Sequence, residues 1–159
     1  MSYTPLEQKL RSQILLDPTL PGLLNGGVFG SMLPQGVLSG AAPLSVLTIQ
    51  RISTTRQSLN STPSGSVGNV TSLSLIRVQF TARVKAANSE YLALQIMEAL
   101  VSFLNTFDAT STNEFQSPRV SARHFPNTVL NERLTFYPQT QPPLAEGIVE
   151  ARIYNREDL

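Results

Sequence analysis

Between Ile76 and Lys85 the chain alternates apolar and polar residues without a break. Ile76, Val78, Phe80, Ala82 and Val84 interleave with Arg77, Gln79, Thr81, Arg83 and Lys85. Successive side chains of a strand point to opposite faces, so this period of two predicts a half-buried strand. After Ala86-Ala87, Asn88 or Ser89 is placed to cap a helix whose first turn holds Glu90, a negative charge at the positive end of the helix dipole. The helix is expected to run to Phe107. Leu92, Ile96, Ala99, Leu100, Phe103 and Phe107 form one apolar row, and Tyr91, Leu94, Met97, Val101 and Leu104 form a second beside it. Gln95, Glu98, Ser102 and Asn105 remain as the polar stripe. The apolar face therefore exceeds the roughly 100° that a surface helix needs. Two coverings would account for it: the helix lies between its own sheet and the N-terminal helix, or part of it meets a neighbouring subunit.

The other segments arrange themselves around this unit. Thr4-Pro5 starts a first helix with Leu6, Leu10, Ile14 and Leu15 as its apolar edge, and Asp17-Pro18 ends it. From Thr19 to Pro43, repeated Gly and Pro predict an irregular crossing with short extended pieces such as Val28-Phe29. Leu44 to Thr54 reads as a strand whose alternation slips near Val46-Leu47, the mark of a bulge or of burial on both faces. Gln57 to Asn69 and Asp108 to Ser117 are rich in Ser, Thr and Asn and read as mobile surface loops. Val120 to Phe125, Leu130 to Tyr137 and Gly147 to Arg156 are further strands, the last with Val149, Ala151 and Ile153 inward and Glu150, Arg152 and Tyr154 outward. Glu157-Asp158 is expected to be a solvated tail. Adjacent strands without regular βαβ alternation predict one α+β domain over residues 1–159. Its sheet is mostly antiparallel, with about four to five strands and two helices packed on one face.

Composition narrows the function. The chain has 159 residues and no cysteine, which excludes disulfides, thiol nucleophiles and cysteine metal sites. Twelve basic against eleven acidic residues leave a net charge of +1, too little for long-range attraction to nucleic acid or anionic membrane. No apolar run approaches the roughly 20 residues that span a bilayer. Met1 to Lys9 also lacks the pattern of a secretory signal, so synthesis is expected in the cytoplasm.

Catalytic signatures are missing. There is no G-x-S-x-G, phosphate-loop, H-E-x-x-H or S-x-x-K motif. The single histidine, His124, cannot make a two-histidine metal site, and it reads as structural. Glu98, Glu146 and Glu150 show no spacing that pairs two carboxylates, leaving an enzyme built on Glu98, His124 and an arginine as a remote alternative. No cofactor or metal is expected. Arg77, Arg83 and Arg152 fall on the polar faces of two strands near Glu150, where cross-strand ion pairing competes with a basic inter-subunit patch. The candidate interface set is Arg51, Arg56, Arg77, Arg83, Tyr91, Leu94, Met97, Val101 and Arg152.

Taken in order, several segments resemble the tail terminator, or tail completion, family of tailed bacteriophages and gene-transfer particles. Val28-Phe29-Gly30 followed by Leu33-Pro34-Gln35-Gly36 is similar to that family's crossing after the first helix. Ala42 to Ser53 is similar to its Pro-led strand ending in an arginine, an apolar residue and serine. Arg77 to Val84 with the helix bearing Ala93, Ala99 and Leu100, and the closing Val149 to Tyr154, resemble its central unit and last strand. Ala82 departs from the pattern, standing where an acidic residue is common. The resemblance implies a non-enzymatic virion protein at the tail-neck region, assembled in the host cytoplasm as a homohexameric ring. Such a ring caps the tail tube, contacts the major tail tube protein and a head completion or connector protein, and lets DNA pass without specific binding. A different neck or minor tail component on the same scaffold is the alternative.

Overall fold

The computed structural model describes residues 5–30, 33–34, 36–40, 42–58, 71–107 and 127–158. In it the alternating segment is the C-terminal part of a longer strand, β3 (Thr71–Lys85). All five of its apolar residues from Ile76 to Val84 are completely buried. β3 is also the centre of the sheet, flanked by β2 (Leu44–Ser58) and β5 (Leu144–Asp158), each antiparallel to it. Outside β5 lies antiparallel β4 (Thr128–Tyr137), and outside β2 the two-residue β1 (Val28–Phe29) pairs in parallel, giving the order β1-β2-β3-β5-β4. This mixed but mostly antiparallel sheet, with its helices, is the α+β architecture the strand runs predict.

Register sorts the side chains into two faces. Phe80 lies opposite Ile49 on β2 and Val149 on β5, Ile76 lies opposite Ile153, and Ala82 lies between Leu47 and Gly147. All but Gly147 belong to one buried apolar cluster. Covering a large aliphatic or aromatic side chain in this way contributes about 1.5–3 kcal/mol.

Two helices cover that face. α1 (Leu6–Leu16) buries Leu6, Leu10 and Ile14 completely. Its polar side is tied to the sheet by Glu7, which accepts from Arg51 Nε at 2.6 Å and Nη2 at 3.0 Å, and by Lys9, whose Nζ donates to Asn155 Oδ1 at 2.7 Å. α3 (Ser89–Thr106) lies across β3, β5 and β4, with Ala93, Ile96, Met97, Leu100, Phe103 and Leu104 buried. Its last carbonyls do not go unmet, as Asn127 Nδ2 donates to Leu104 O at 2.8 Å and Phe107 O at 2.7 Å.

Several expectations are corrected in detail. The crossing between Thr19 and Pro43 contains a short helix, α2 (Leu20–Leu23), started by Asp17 Oδ2, which accepts from the Thr19 and Leu20 amides at 2.9 Å each. The neighbour of α3 in the helix layer is this α2, not α1. Of the two readings of the β2 slip, burial on both faces is the one that holds at Val46-Leu47, where the pairing with β3 runs without a break. Val46 and Leu47 are each buried on opposite faces, while the bulge falls between Arg51 and Ser53. β2 also runs further than expected, taking in Gln57 and Ser58. Glu157 and Asp158 are paired in β5 opposite Ser72 and Thr71 and do not form a separate tail. Asn88 precedes α3, but its backbone (φ −107°, ψ 38°) is not extended, and its side chain makes no capping bond. Residues 59–69, the 108–117 segment and the Val120 to Phe125 strand lie outside the described residues.

Candidate functional site

Two surfaces combine exposure with unusual composition, and the sheet separates them. The first is the outer side of α3. Its second apolar row divides there: Met97 and Leu104 turn inward, Val101 is half-buried against the core, and Tyr91 and Leu94 stay 62% and 47% exposed. Met97 is thereby corrected from interface to core. Its thioether packs over Gly147 of β5, where the lack of a side chain lets the helix approach. Tyr91, Leu94, Gln95, Glu98 and Ser102 form one wall of an open cleft of about 840 Å³, and Asp17, Pro18, Thr19 and Leu23 form the other. Among the described residues the cleft holds the carboxylates of Asp17 and Glu98 and no basic side chain. Sequence reading missed its second wall because Asp17-Pro18 signals a helix end without saying where the next turn packs.

The second surface is the sheet face turned away from the helices. Alternation from the buried row puts Arg77, Gln79, Thr81, Arg83 and Lys85 of β3 there, with Glu146, Ile148, Glu150, Arg152 and Tyr154 of β5 beside them. β4 adds Asn131, Arg133, Thr135 and Tyr137. Among the described side chains, five cations therefore share this face with Glu146 and Glu150. Arg83 Nε donates to Glu146 Oε2 at 3.1 Å, and Arg77 Nη2 reaches diagonally to Glu150 Oε2 at 3.0 Å. Lys85 Nζ donates to the carbonyls of Leu38 and Gly40 at 2.8 Å each, holding the 36–40 segment at the end of β3. Arg152 sits directly opposite Arg77, and its buried Nε has no hydrogen-bond partner among the described residues.

The candidate arginines thus serve different ends. Arg51 is engaged by Glu7 in holding α1, Arg77 and Arg83 make the cross-strand pairs, Arg56 is exposed on β2, and Arg152 is half-buried opposite Arg77. A second cleft, of about 670 Å³, lies beside Glu7, Arg11, Gln50 and Arg51 at the β2 edge.

The residues of the remote enzyme reading are described only in part. Glu98 is exposed on α3, Glu146 and Glu150 lie across the sheet, and His124 is outside the described residues. Among the described residues no three His, Cys, Asp or Glu side chains come together. No described helix is long and apolar enough to cross a membrane. No protein-family model matches the chain, and no curated protein matches it.

Proposed function

We propose that this chain is a structural virion protein that caps the end of a phage tail tube as a ring, stopping tail polymerisation and forming the joint to the head. The observation that carries the reading is the division of α3. One side is core, while the other keeps Tyr91 and Leu94 exposed beside an open cleft. Large apolar side chains grouped at a cleft favour a protein contact over solvent. The order of helix, crossing, paired strands, helix and closing strands agrees with the segments through which the sequence resembles tail terminators. A ring also needs two different surfaces on each subunit, since head-to-tail contacts close by rotation.

Two measurements test this. Light scattering after size exclusion is expected to give a closed oligomer, and a monomer at every concentration would overturn the reading. Phage lacking the gene should make tails of uncontrolled length. Tails of normal length on heads that leak DNA would instead make the chain a neck component.

A further inference from the structure

We infer that the sheet face bearing Arg133 and Arg152 docks on the α3 cleft of a second copy of this chain, so that each subunit offers one surface to each neighbour. The inference rests on the assembly reading and specifies which surfaces meet. Charge is the main argument. Among the described side chains the sheet face has a surplus of three positive charges, whereas the others, five acidic against four basic, carry a deficit of one. Three of those five acidic residues lie on the opposite side of the molecule: α3 holds Glu90 and Glu98 and no Lys or Arg, and Asp17 faces Glu98 across the cleft.

The commitments within the sheet face decide which cations remain for a partner. Glu146 and Glu150 occupy Arg83 and Arg77, and two carbonyls occupy Lys85. Arg152, opposed to Arg77, and exposed Arg133 remain. They stand two same-face rows and one strand apart, about 14 Å. Glu90 and Glu98 are both exposed and about 12 Å apart along α3, a difference that the reach of an arginine side chain covers. The partner surface also needs apolar area for Tyr91 and Leu94, and Tyr137, 39% exposed at the β4 edge, supplies some of it. A nucleic acid fits this face less well, because Glu146 and Glu150 lie among the cations and would repel phosphate.

Reversal of single charges tests the inference, with circular dichroism to verify folding. In sedimentation velocity, Glu98→Arg or Arg133→Glu is expected to raise the apparent dissociation constant of the oligomer by about tenfold or more, and their combination to bring it back to within about threefold of the parent. If the parent assembles and both single variants assemble equally well, this pairing of surfaces is wrong and the ring reading stands. If the combination is weaker than either single variant, the two residues do not meet and the pairing is again wrong. A parent that stays monomeric overturns both. Loss of binding to a labelled single-stranded oligonucleotide in Arg133→Glu, with assembly unchanged, would assign the face to nucleic acid and overturn the inference.

Discussion

A Cβ on Gly147 would stand 2.7 Å from Sδ of Met97 and 2.9 Å from its Cγ, closer than such atoms approach. α3 thus rests on β5 at the one strand position that offers no side chain. Gly147→Ala is expected to destabilise the protein by about 1–3 kcal/mol, because the thioether must leave a well-packed site. Met97→Ala alone should cost about 2–5 kcal/mol by opening a cavity. In the double variant the new methyl group falls in the space the thioether leaves, so the two costs should not add, with a coupling above about 0.5 kcal/mol. Urea denaturation of the four proteins measures this, and simple additivity would show that Met97 and Gly147 do not share the contact.

Neither partner of that contact announces itself in the sequence. The strand Ile76 to Lys85 and the helix after it were legible because each is long and strictly periodic, and so was the inward row Val149, Ala151 and Ile153. Met97 belongs by spacing to the same row as Tyr91 and Leu94, and periodicity cannot say which members of a broad face meet a glycine and which meet solvent. The β2 slip was visible, but local pattern cannot separate two-sided burial at Val46-Leu47 from the bulge that follows Arg51. α2 was hidden in a Pro- and Gly-rich crossing, where a four-residue helix depends on the Asp17 cap and on packing more than on propensity. The cleft was illegible for the same reason, since its far wall comes from that turn.

Glu7 and Arg51 form a two-pronged pair between α1 and β2, with side chains 18% and 25% exposed. Arg77, by contrast, is 47% exposed and bonds Glu150 through one nitrogen. Glu7→Gln is expected to cost about 1–3 kcal/mol, since it weakens a charge-assisted pair where water replaces it poorly. Glu150→Gln should cost less than about 1 kcal/mol. Thermal melts at low and moderate salt should show this order, and equal losses would mean that the Glu7 pair does not anchor α1.

Asn155 is fully buried on β5, and its Oδ1 accepts the Lys9 ammonium from α1. Its Nδ2 and the hydroxyl of neighbouring Ser74 have no hydrogen-bond partner among the described residues. What the amide contributes is therefore the bond its oxygen makes to a charge. Asn155→Ala should cost about 1.5–3 kcal/mol, the range for a hydrogen bond to a charged group. Amide exchange in α1 should accelerate more than in α3, because Lys9 is the point at which α1 loses its hold. An equal change in both helices would place the effect in the sheet.

Leu94 and Met97 are three residues apart on α3, yet one is 47% exposed and the other 5%. A serine at each position separates a docking surface from core. Leu94→Ser should leave the monomer's stability within about 0.5 kcal/mol of the parent, since it removes little covered area. Met97→Ser should lower it by several-fold more, adding the cost of a buried hydroxyl to that of a cavity. In sedimentation velocity the order should reverse for the folded proteins: Leu94→Ser weakens self-association, because the leucine lies in the cleft where a neighbour is proposed to dock. If Leu94→Ser assembles as the parent does, the exposed row of α3 is solvated surface, and the lateral contact must be sought at the sheet edges, β4 on one side and on the other β1 with the length of β2 that it leaves uncovered.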